Sequence, residues 1–231
     1  MYKEHPNIKT PEDDIIIWRY IDLWKFLDII DNDKLYMSRA DQFEDKLEGR
    51  IPHHKVRSSS SPNPLKQIDT VSENVLKKHT FISSWNANNF ELYPLWKIYT
   101  ESNSSIAIKS TIIKLKESIK AEETLTQYIG QIKYVRPDTD YTFEGNTFQL
   151  FFEKRDYFAF ENEVRILVDY PYKDNDELLQ LPNGIKIDID PEKLIDEILL
   201  APGATQELKE LIENKLSSNN LKGIDVSYSD I

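Results

Sequence analysis

The sequence predicts an α+β fold in which a mixed, mostly antiparallel sheet is flanked by helices. Strand-like and helix-like patterns alternate irregularly along the 231 residues, unlike the regular alternation of a doubly wound sheet. The chain has only 6 glycines, so it lacks the glycine-rich turns of dinucleotide-binding sheets. Aromatic residues make up 11% of the chain, which supplies large apolar side chains for a packed core. We expect a single domain over residues 1–231.

The amino-terminal part predicts a strand, a helix and further alternating elements. The first strand covers Ile15–Tyr20, because this run is apolar and rich in β-branched residues. Asp22 can cap the helix that follows, in which apolar residues recur at the helical period. The later elements predicted here are strands at Lys34–Ser38, His79–Trp85 and Ser105–Lys109, a helix with Leu92, Leu95, Trp96 and Tyr99 on one face, and a helix over Thr111–Lys120.

The stretch Pro52–Pro64 contains four consecutive serines and three prolines. Such a composition has little to bury, so we expect a mobile loop there. After residue 121 the predicted elements are strands at Gln127–Val135, Val164–Tyr170, Ile185–Ile189 and Gly223–Tyr228, and helices at Phe148–Phe158, from Pro191, and at Gln206–Leu216.

Charge and cysteine content limit the classes of function. The chain carries 29 lysines and arginines against 40 aspartates and glutamates, a formal net charge of −11. Nonspecific DNA binding is therefore disfavoured, since it needs basic groups that displace counterions. The absence of cysteine removes thiol nucleophiles and thiolate zinc sites and fits a reducing cytosol. No run approaches the roughly 18 apolar residues of a membrane span, so we expect a soluble, cytoplasmic protein with no membrane partner.

The segment from Phe160 to Arg165 is the first candidate for chemistry. Alternate residues of a strand share a face, so Glu161, Glu163 and Arg165 are expected to point the same way. Two carboxylates beside a cation suit general-base work or the stabilisation of a cationic transition state. The alternative interpretation is the solvent-facing edge of a strand that buries its other face.

An acidic segment follows the second predicted strand and includes Asp41, Asp45 and Glu48. Carboxylate oxygens are the ligands that hard divalent cations prefer, so a metal-dependent hydrolase or nuclease is one hypothesis, with the Glu161 and Glu163 pair completing the site. The spacing does not match an EF-hand loop. A solvated acidic loop is the other interpretation.

Two polar features interrupt predicted strands. Arg19 lies inside an apolar strand, where its guanidinium either reaches the surface or holds a partner, such as a phosphate group. Ser83 and Ser84 stand near the end of the strand His79–Trp85, where they could bind a ligand or cap the turn.

Taken in order, the segments resemble the bacterial domain-of-unknown-function 2971 family over nearly the full chain. The chain departs from many members at Glu44 and Lys46, where asparagine and proline are common. The matching residues are Phe43, Asp45 and Glu48 in an acidic motif, Ser83 at a strand end, Trp96 and Tyr99 in a W-x-x-Y motif, and the E-x-E-x-R motif of Glu161, Glu163 and Arg165.

The order of an arginine, a serine and an E-x-E pair is also similar to the R-S-E pattern of ADP-ribosyltransferases. That resemblance implies NAD as substrate, with Arg19 holding its phosphates and Ser83, or Ser84, supporting the nicotinamide ribose. It implies that Glu163 stabilises the oxocarbenium-like transition state and that Glu161 orients the acceptor. Trp96 or Tyr99 would stack on the nicotinamide, and toxins and phage-defence effectors are the expected setting.

A third hypothesis is a noncatalytic module that binds a ligand or a protein. The four tryptophans could line its groove, although core packing is the more common use of such residues. They are Trp18, Trp24, Trp85 and Trp96.

Overall fold

A computed structural model describes residues 2–43, 45, 48–49, 70–122, 124–136, 147–171 and 181–231. The predicted loop at residues 52–64 lies outside these residues. The chain divides into two compact units. The first unit comprises Met1–Thr10, Met37–Ser83 and Glu122–Ile185, and the second comprises Pro11–Tyr36, Ser84–Ala121 and Lys186–Ile231.

The described residues form helices and strands in irregular alternation, as expected. The helices are α1 (Leu23–Asn32), α2 (Thr70–Lys78), α3 (Tyr93–Tyr99), α4 (Ile112–Ser118), α5 (Pro191–Leu194) and α6 (Gln206–Ser218). The strands are β1 (Ile16–Ile21), β2 (Lys34–Arg39), β3 (Thr80–Ala87), β4 (Ile106–Thr111), β5 (Thr126–Gln131), β6 (Lys133–Val135), β7 (Glu153–Arg155), β8 (Glu163–Asp169), β9 (Gly184–Asp188), β10 (Glu197–Leu200) and β11 (Asp225–Tyr228).

The second unit has β1 between two antiparallel neighbours, β4 and the end of β3. β10 continues this sheet antiparallel to β4 and pairs in parallel with β11. Helix α1 follows because its apolar positions recur at the helical period and bury Phe26, Ile29 and Ile30. An aromatic core forms where Trp18, Tyr20 and other buried side chains pack together: Leu95, Trp96, Ala107, Leu199 and Ala201.

The first unit is built on the antiparallel pair β5 and β8, which pair over six residues from Thr126 opposite Asp169 to Gln131 opposite Val164. β8 also pairs with β3, and β3 pairs antiparallel with β2. Strands β6 and β7 form a small parallel pair. A core lies among these elements and consists of Ile8, Ala40, Ile82, Ile132, Phe151, Phe152 and Leu167.

The structure corrects the prediction of a helix over Phe148–Phe158. This segment forms a 3-10 helix at Thr147–Phe151, the strand β7 and a second 3-10 helix at Asp156–Glu161. Its apolar and aromatic residues suit a buried strand as well as a helix, and periodicity does not separate the two over short runs. The predicted strand Gln127–Val135 divides into β5 and β6, because β6 pairs with β7 and β5 pairs with β8.

Two elements were missed, and one predicted cap is confirmed in its position but not in its side-chain hydrogen bond. Helix α2 and strand β10 have no counterpart among the predicted elements. Asp22 occupies the N-cap position of α1, yet its side chain makes no capping bond. It accepts instead from Lys25 Nζ at 3.1 Å, from the Glu101 backbone at 3.3 Å and from Ser105 Oγ at 3.4 Å. Glu101 and Ser105 come from another part of the second unit, which the local pattern does not indicate.

The α+β class with a mixed, mostly antiparallel sheet and flanking helices is confirmed. The single-domain assignment stays a prediction. Among the helices of the described residues, none combines the length and the apolar character that crossing a bilayer requires.

Candidate functional site

The start of β8 brings the E-x-E pair into position. The 3-10 helix Asp156–Glu161 ends at Asn162, which adopts a left-handed conformation with φ of 41° and donates its backbone N–H to the Ala159 carbonyl. Asparagine tolerates this region better than most residues. The strand begins at the next residue, where the Glu163 N–H donates to the Tyr134 hydroxyl at 2.9 Å. A sharp change of direction therefore separates the two glutamates.

Arg165 holds the Glu163 carboxylate through both of its oxygens. Arg165 Nε donates to Glu163 Oε1 at 2.6 Å, and Nη2 donates to Oε2 at 3.0 Å. The same guanidinium donates to the Phe151 carbonyl at 2.8 Å and to Glu48 Oε2 at 2.6 Å. Bidentate pairing of this kind is strong and directional, so the orientation of the Glu163 carboxylate is fixed.

Lys154 on β7 lies among three carboxylates. Its Nζ is 2.7 Å from Glu161 Oε2, 3.3 Å from Glu163 Oε2 and 3.3 Å from Glu48 Oε1. The ammonium also lies over the Phe158 ring, 4.7 Å from its centroid, a distance at which a cation and an aromatic face attract. We call Glu48, Lys154, Glu161, Glu163 and Arg165 the ion cluster.

The ion cluster is buried and its cations are held in their charged forms. The Lys154 side chain is 8% exposed and that of Glu163 is 3% exposed. Burial alone would lower the pKa of Lys154, but the carboxylates of Glu163 and Glu48 and the hydrogen bond to Glu161 raise it. Burial also opposes the charge of Arg165, and the same carboxylates outweigh it, so the pKa of Arg165 is raised.

Glu163 and Arg165 bond directly, and Glu161 joins them through Lys154, so the three side chains lie together. Glu161 ends a 3-10 helix and precedes β8, so the strand alternation that predicted the grouping applies to Glu163 and Arg165 alone. The alternative of a solvent-facing strand edge is wrong, since β8 is buried from Glu163 through Val168. The sequence reasoning missed Lys154, because it lay inside the predicted helix Phe148–Phe158 and had no spacing relation to the E-x-E pair.

Three carboxylates of the acidic segment pair with three different arginines. Asp41 accepts from Arg39 Nε at 2.7 Å and from its Nη2 at 3.1 Å. Asp45 accepts from Arg155 Nη2 at 2.9 Å, and Glu48 belongs to the ion cluster. Asp41 and Asp45 therefore form ion pairs outside the ion cluster that contains Glu161 and Glu163.

The metal hypothesis placed these acids around a divalent cation. The structure does bring Glu48 to Glu161 and Glu163, but the Lys154 ammonium lies among their oxygens. Within the described ranges, no group of three or more acids or histidines is arranged to hold a metal ion. The geometry therefore offers this hypothesis no support.

Arg19 belongs to the second unit and lies on β1 opposite Ile108 of β4. Its guanidinium carbon is 5.6 Å from the centre of the Trp85 ring, and its Nη2 donates to the Tyr36 carbonyl at 3.5 Å. Loss of hydration lowers the pKa of Arg19 from its ordinary value to about 10, so the guanidinium remains charged at neutral pH. A charged guanidinium that is partly exposed to solvent suits the binding of a phosphate.

The remaining predicted ligand contacts differ in exposure. Ser83 is buried at 1% exposure, whereas Ser84, on the opposite face of β3, is exposed. Trp96 is 2% exposed, packs edge-on against Tyr20 and donates its indole N–H to Glu91 at 2.7 Å. Tyr99 is 37% exposed. Of the two aromatic candidates, Tyr99 is thus the one whose ring reaches solvent.

The tryptophans offer little support for a binding groove. Trp18, Trp85 and Trp96 are at most 3% exposed, and Trp24 is 65% exposed. Three of the four therefore fill the core, which is the more common use of such residues. The predicted convergence of Arg19 with Glu163 joins residues of the two units and stays a prediction.

Comparison with known proteins gives limited information. No protein-family model matches the chain, so membership of the domain-of-unknown-function 2971 family stays a prediction, and no curated protein matches. Solved structures similar to this chain include DarT of Thermus sp. 2.9 in complex with NAD+, with a TM-score of 0.42, 12% identity, and coverage of 95% of this chain and 97% of that chain.

Two further complexes of the same Thermus protein are also similar. DarT with ADP-ribosylated single-stranded DNA has a TM-score of 0.39, 13% identity, and coverage of 96% and 97%. DarT with carba-NAD+ has a TM-score of 0.38, 12% identity, and coverage of 95% and 96%. At these TM-scores the likeness carries no argument about what this chain binds or does.

Proposed function

We propose that the protein is an ADP-ribosyltransferase-like enzyme that consumes NAD, with Glu163 as its catalytic carboxylate. The observation that carries the proposal is the fixed orientation of Glu163, held at both oxygens by Arg165 and neighboured by Lys154. A carboxylate that is already oriented in a poorly hydrated site does not have to reorganise when positive charge develops nearby. An oriented carboxylate can stabilise the positive charge that develops on the sugar when a glycosidic bond breaks.

The reaction breaks the bond between C1′ of the ribose and the nicotinamide nitrogen. The bonding electron pair leaves with the nicotinamide, which becomes neutral, and the ribose becomes an oxocarbenium-like cation that Glu163 stabilises. A nucleophilic oxygen or nitrogen of the acceptor then bonds to C1′ and releases its proton, with Glu161 orienting the acceptor. With water as acceptor, NAD+ and H2O give ADP-ribose, nicotinamide and H+.

The ADP-ribosyltransferase resemblance assigns the contacts to NAD to Arg19, to Ser83 or Ser84, and to Trp96 or Tyr99. The charged guanidinium of Arg19 would hold a phosphate of the pyrophosphate through paired hydrogen bonds. The exposed Ser84 hydroxyl and the Tyr99 ring would contact the nicotinamide ribose and the nicotinamide. Ser83 and Trp96 are buried, so Ser84 and Tyr99 are the more accessible of the residues assigned to these contacts.

The test is NAD consumption by the full chain and its Glu163→Gln variant. Nicotinamide release is measured by chromatography, and transfer of labelled ADP-ribose to cell lysate is measured in parallel. Glutamine keeps the shape of the side chain and removes its charge, so we expect kcat to fall by about 100-fold or more.

Glu153→Gln is the matched control. Glu153 is a buried carboxylate of the same unit, bonded to Gln149 at 2.7 Å and outside the ion cluster. The control should keep the wild-type kcat, and both variants should unfold cooperatively. The proposal is overturned if the wild-type chain releases no nicotinamide and transfers no label, or if Glu163→Gln retains the full rate.

A further inference from the structure

We infer that Lys154 is a positioning residue that sets the relative placement of Glu161 and Glu163 in the proposed reaction. This inference rests on the proposed function and deepens it. One ammonium touches an oxygen of each carboxylate, at 2.7 Å for Glu161 and 3.3 Å for Glu163. The two groups with different proposed roles, acceptor orientation and charge stabilisation, therefore share one anchor.

Arg165 cannot replace Lys154 in this role. Arg165 bonds to Glu163, to Glu48 and to the Phe151 carbonyl, whereas Lys154 bonds to both Glu161 and Glu163. Two carboxylates that lie close together repel each other unless a cation lies between them. Without Lys154, Glu161 would turn away from Glu163, while the bidentate pair of Glu163 with Arg165 would persist.

The position of Lys154 is itself fixed by its surroundings. β7 pairs with β6 so that Lys154 lies opposite Tyr134, whose hydroxyl accepts from the Glu163 backbone. The Phe158 ring covers the ammonium at 4.7 Å. Glu48 completes the set of three carboxylates at 3.3 Å. These contacts hold Lys154 Nζ in a fixed position, and a group that positions two other side chains must itself be held in this way.

The variants Lys154→Met and Lys154→Arg separate positioning from stability. Methionine keeps the apolar stem and removes the charge, and we expect it to lower kcat for NAD consumption by about 10- to 100-fold with an unchanged KM for NAD. Arginine restores a cation and should recover most of the rate. The control is Lys133→Met on β6, because Lys133 is 55% exposed and 3.8 Å from Glu153, and it should keep the wild-type kcat.

A crystal structure of Lys154→Met gives a readout that does not depend on turnover. We expect the Glu161 carboxylate to turn away from Glu163 while the Glu163–Arg165 pair remains. The inference is overturned if Glu161 stays in place, or if an active wild-type enzyme loses nothing in Lys154→Met. If the wild-type chain consumes no NAD, the proposed function fails, and an unmoved Glu161 in the variant structure would separately refute the positioning role.

Discussion

At the scale of single residues, the ion cluster shows why burial decides what a charged side chain can do. Arg165 is 1% exposed, and a buried charge is costly unless its partners are close and well directed. Its four hydrogen bonds to Glu163, Glu48 and Phe151 satisfy this requirement. Removal of one charged partner of such a buried pair costs about 3–5 kcal/mol of unfolding free energy, because the other charge is left uncompensated.

The absence of a side chain at Gly130 allows Ile8 and Phe152 to pack closely against β5. Gly130 lies opposite Arg165 in the β5–β8 pair, and a Cβ there would be 2.3 Å from Ile8 Cγ2 and 2.8 Å from the Phe152 ring. We expect Gly130→Ala to lower the free energy of unfolding by about 1–3 kcal/mol, measured by chemical denaturation.

Gly223→Ala is the control for this substitution. No atom lies within 4 Å of a Cβ built at Gly223, so its unfolding free energy should stay within about 0.5 kcal/mol of wild type. Equal stability of the Gly130→Ala variant would show that this side of β5 is not closely packed.

At the scale of elements, side chains far apart in sequence hold the segments together. Arg39 at the end of β2 bonds to Asp41, to the carbonyls of Leu181 and Pro182 at the approach to β9, and to Asn183. One guanidinium thus connects two segments separated by more than 100 residues. Hydrophobic periodicity, which predicted β1 and α1, contains no information about such links.

The pairing of Asp41 with Arg39 predicts a dependence of stability on pH. Although burial alone would raise the pKa of Asp41, the hydrogen bonds from Arg39 hold it below its ordinary 3.8. A carboxyl whose pKa is lower in the folded state stabilises the fold above its unfolded pKa and loses this contribution as the pH falls through its folded pKa. Asp41→Asn should therefore cost about 1 kcal/mol of unfolding free energy at pH 7.

The difference between Asp41→Asn and wild type should shrink at acidic pH, because the wild-type carboxyl becomes protonated and its pairing with Arg39 weakens. Denaturation curves between pH 7 and pH 2 measure this change. Asp225→Asn, at an exposed position of β11, is the comparison. A difference for Asp41→Asn that is constant over the whole range would contradict the assignment.

At the scale of the whole molecule, the proposal assigns the phosphates of NAD to Arg19 and the reacting ribose to Glu163. We expect Arg19→Met to raise KM for NAD by about 10-fold or more, because a charged hydrogen bond to phosphate contributes about 1.5–3 kcal/mol. Arg19→Lys should raise it less, since lysine keeps the charge but loses the planar fork. Steady-state kinetics on the full chain measure both.

Arg136→Met is the control for the loss of an arginine, because Arg136 is 73% exposed and pairs with Asp156 at the surface. Its KM for NAD should equal that of wild type. If Arg19→Met binds and consumes NAD as well as wild type does, Arg19 and Glu163 do not act on the same bound NAD. This conclusion would hold even if Glu163 proves to be essential.

The sequence by itself determined the α+β class, the strands β1 and β8, the helices α1 and α6, and the shared face of Glu163 and Arg165, because all of these follow from the period of side chains along one segment. Glu161 joins this group from the end of a 3-10 helix, which strand alternation does not predict. Only the tertiary structure decided that this group is buried, that Lys154 on a separate strand joins it, and that Trp96 fills the core while Tyr99 reaches solvent. The burial of a side chain and the identity of its partners depend on which distant segments pack against it, and the periodicity of one segment contains no information about those segments.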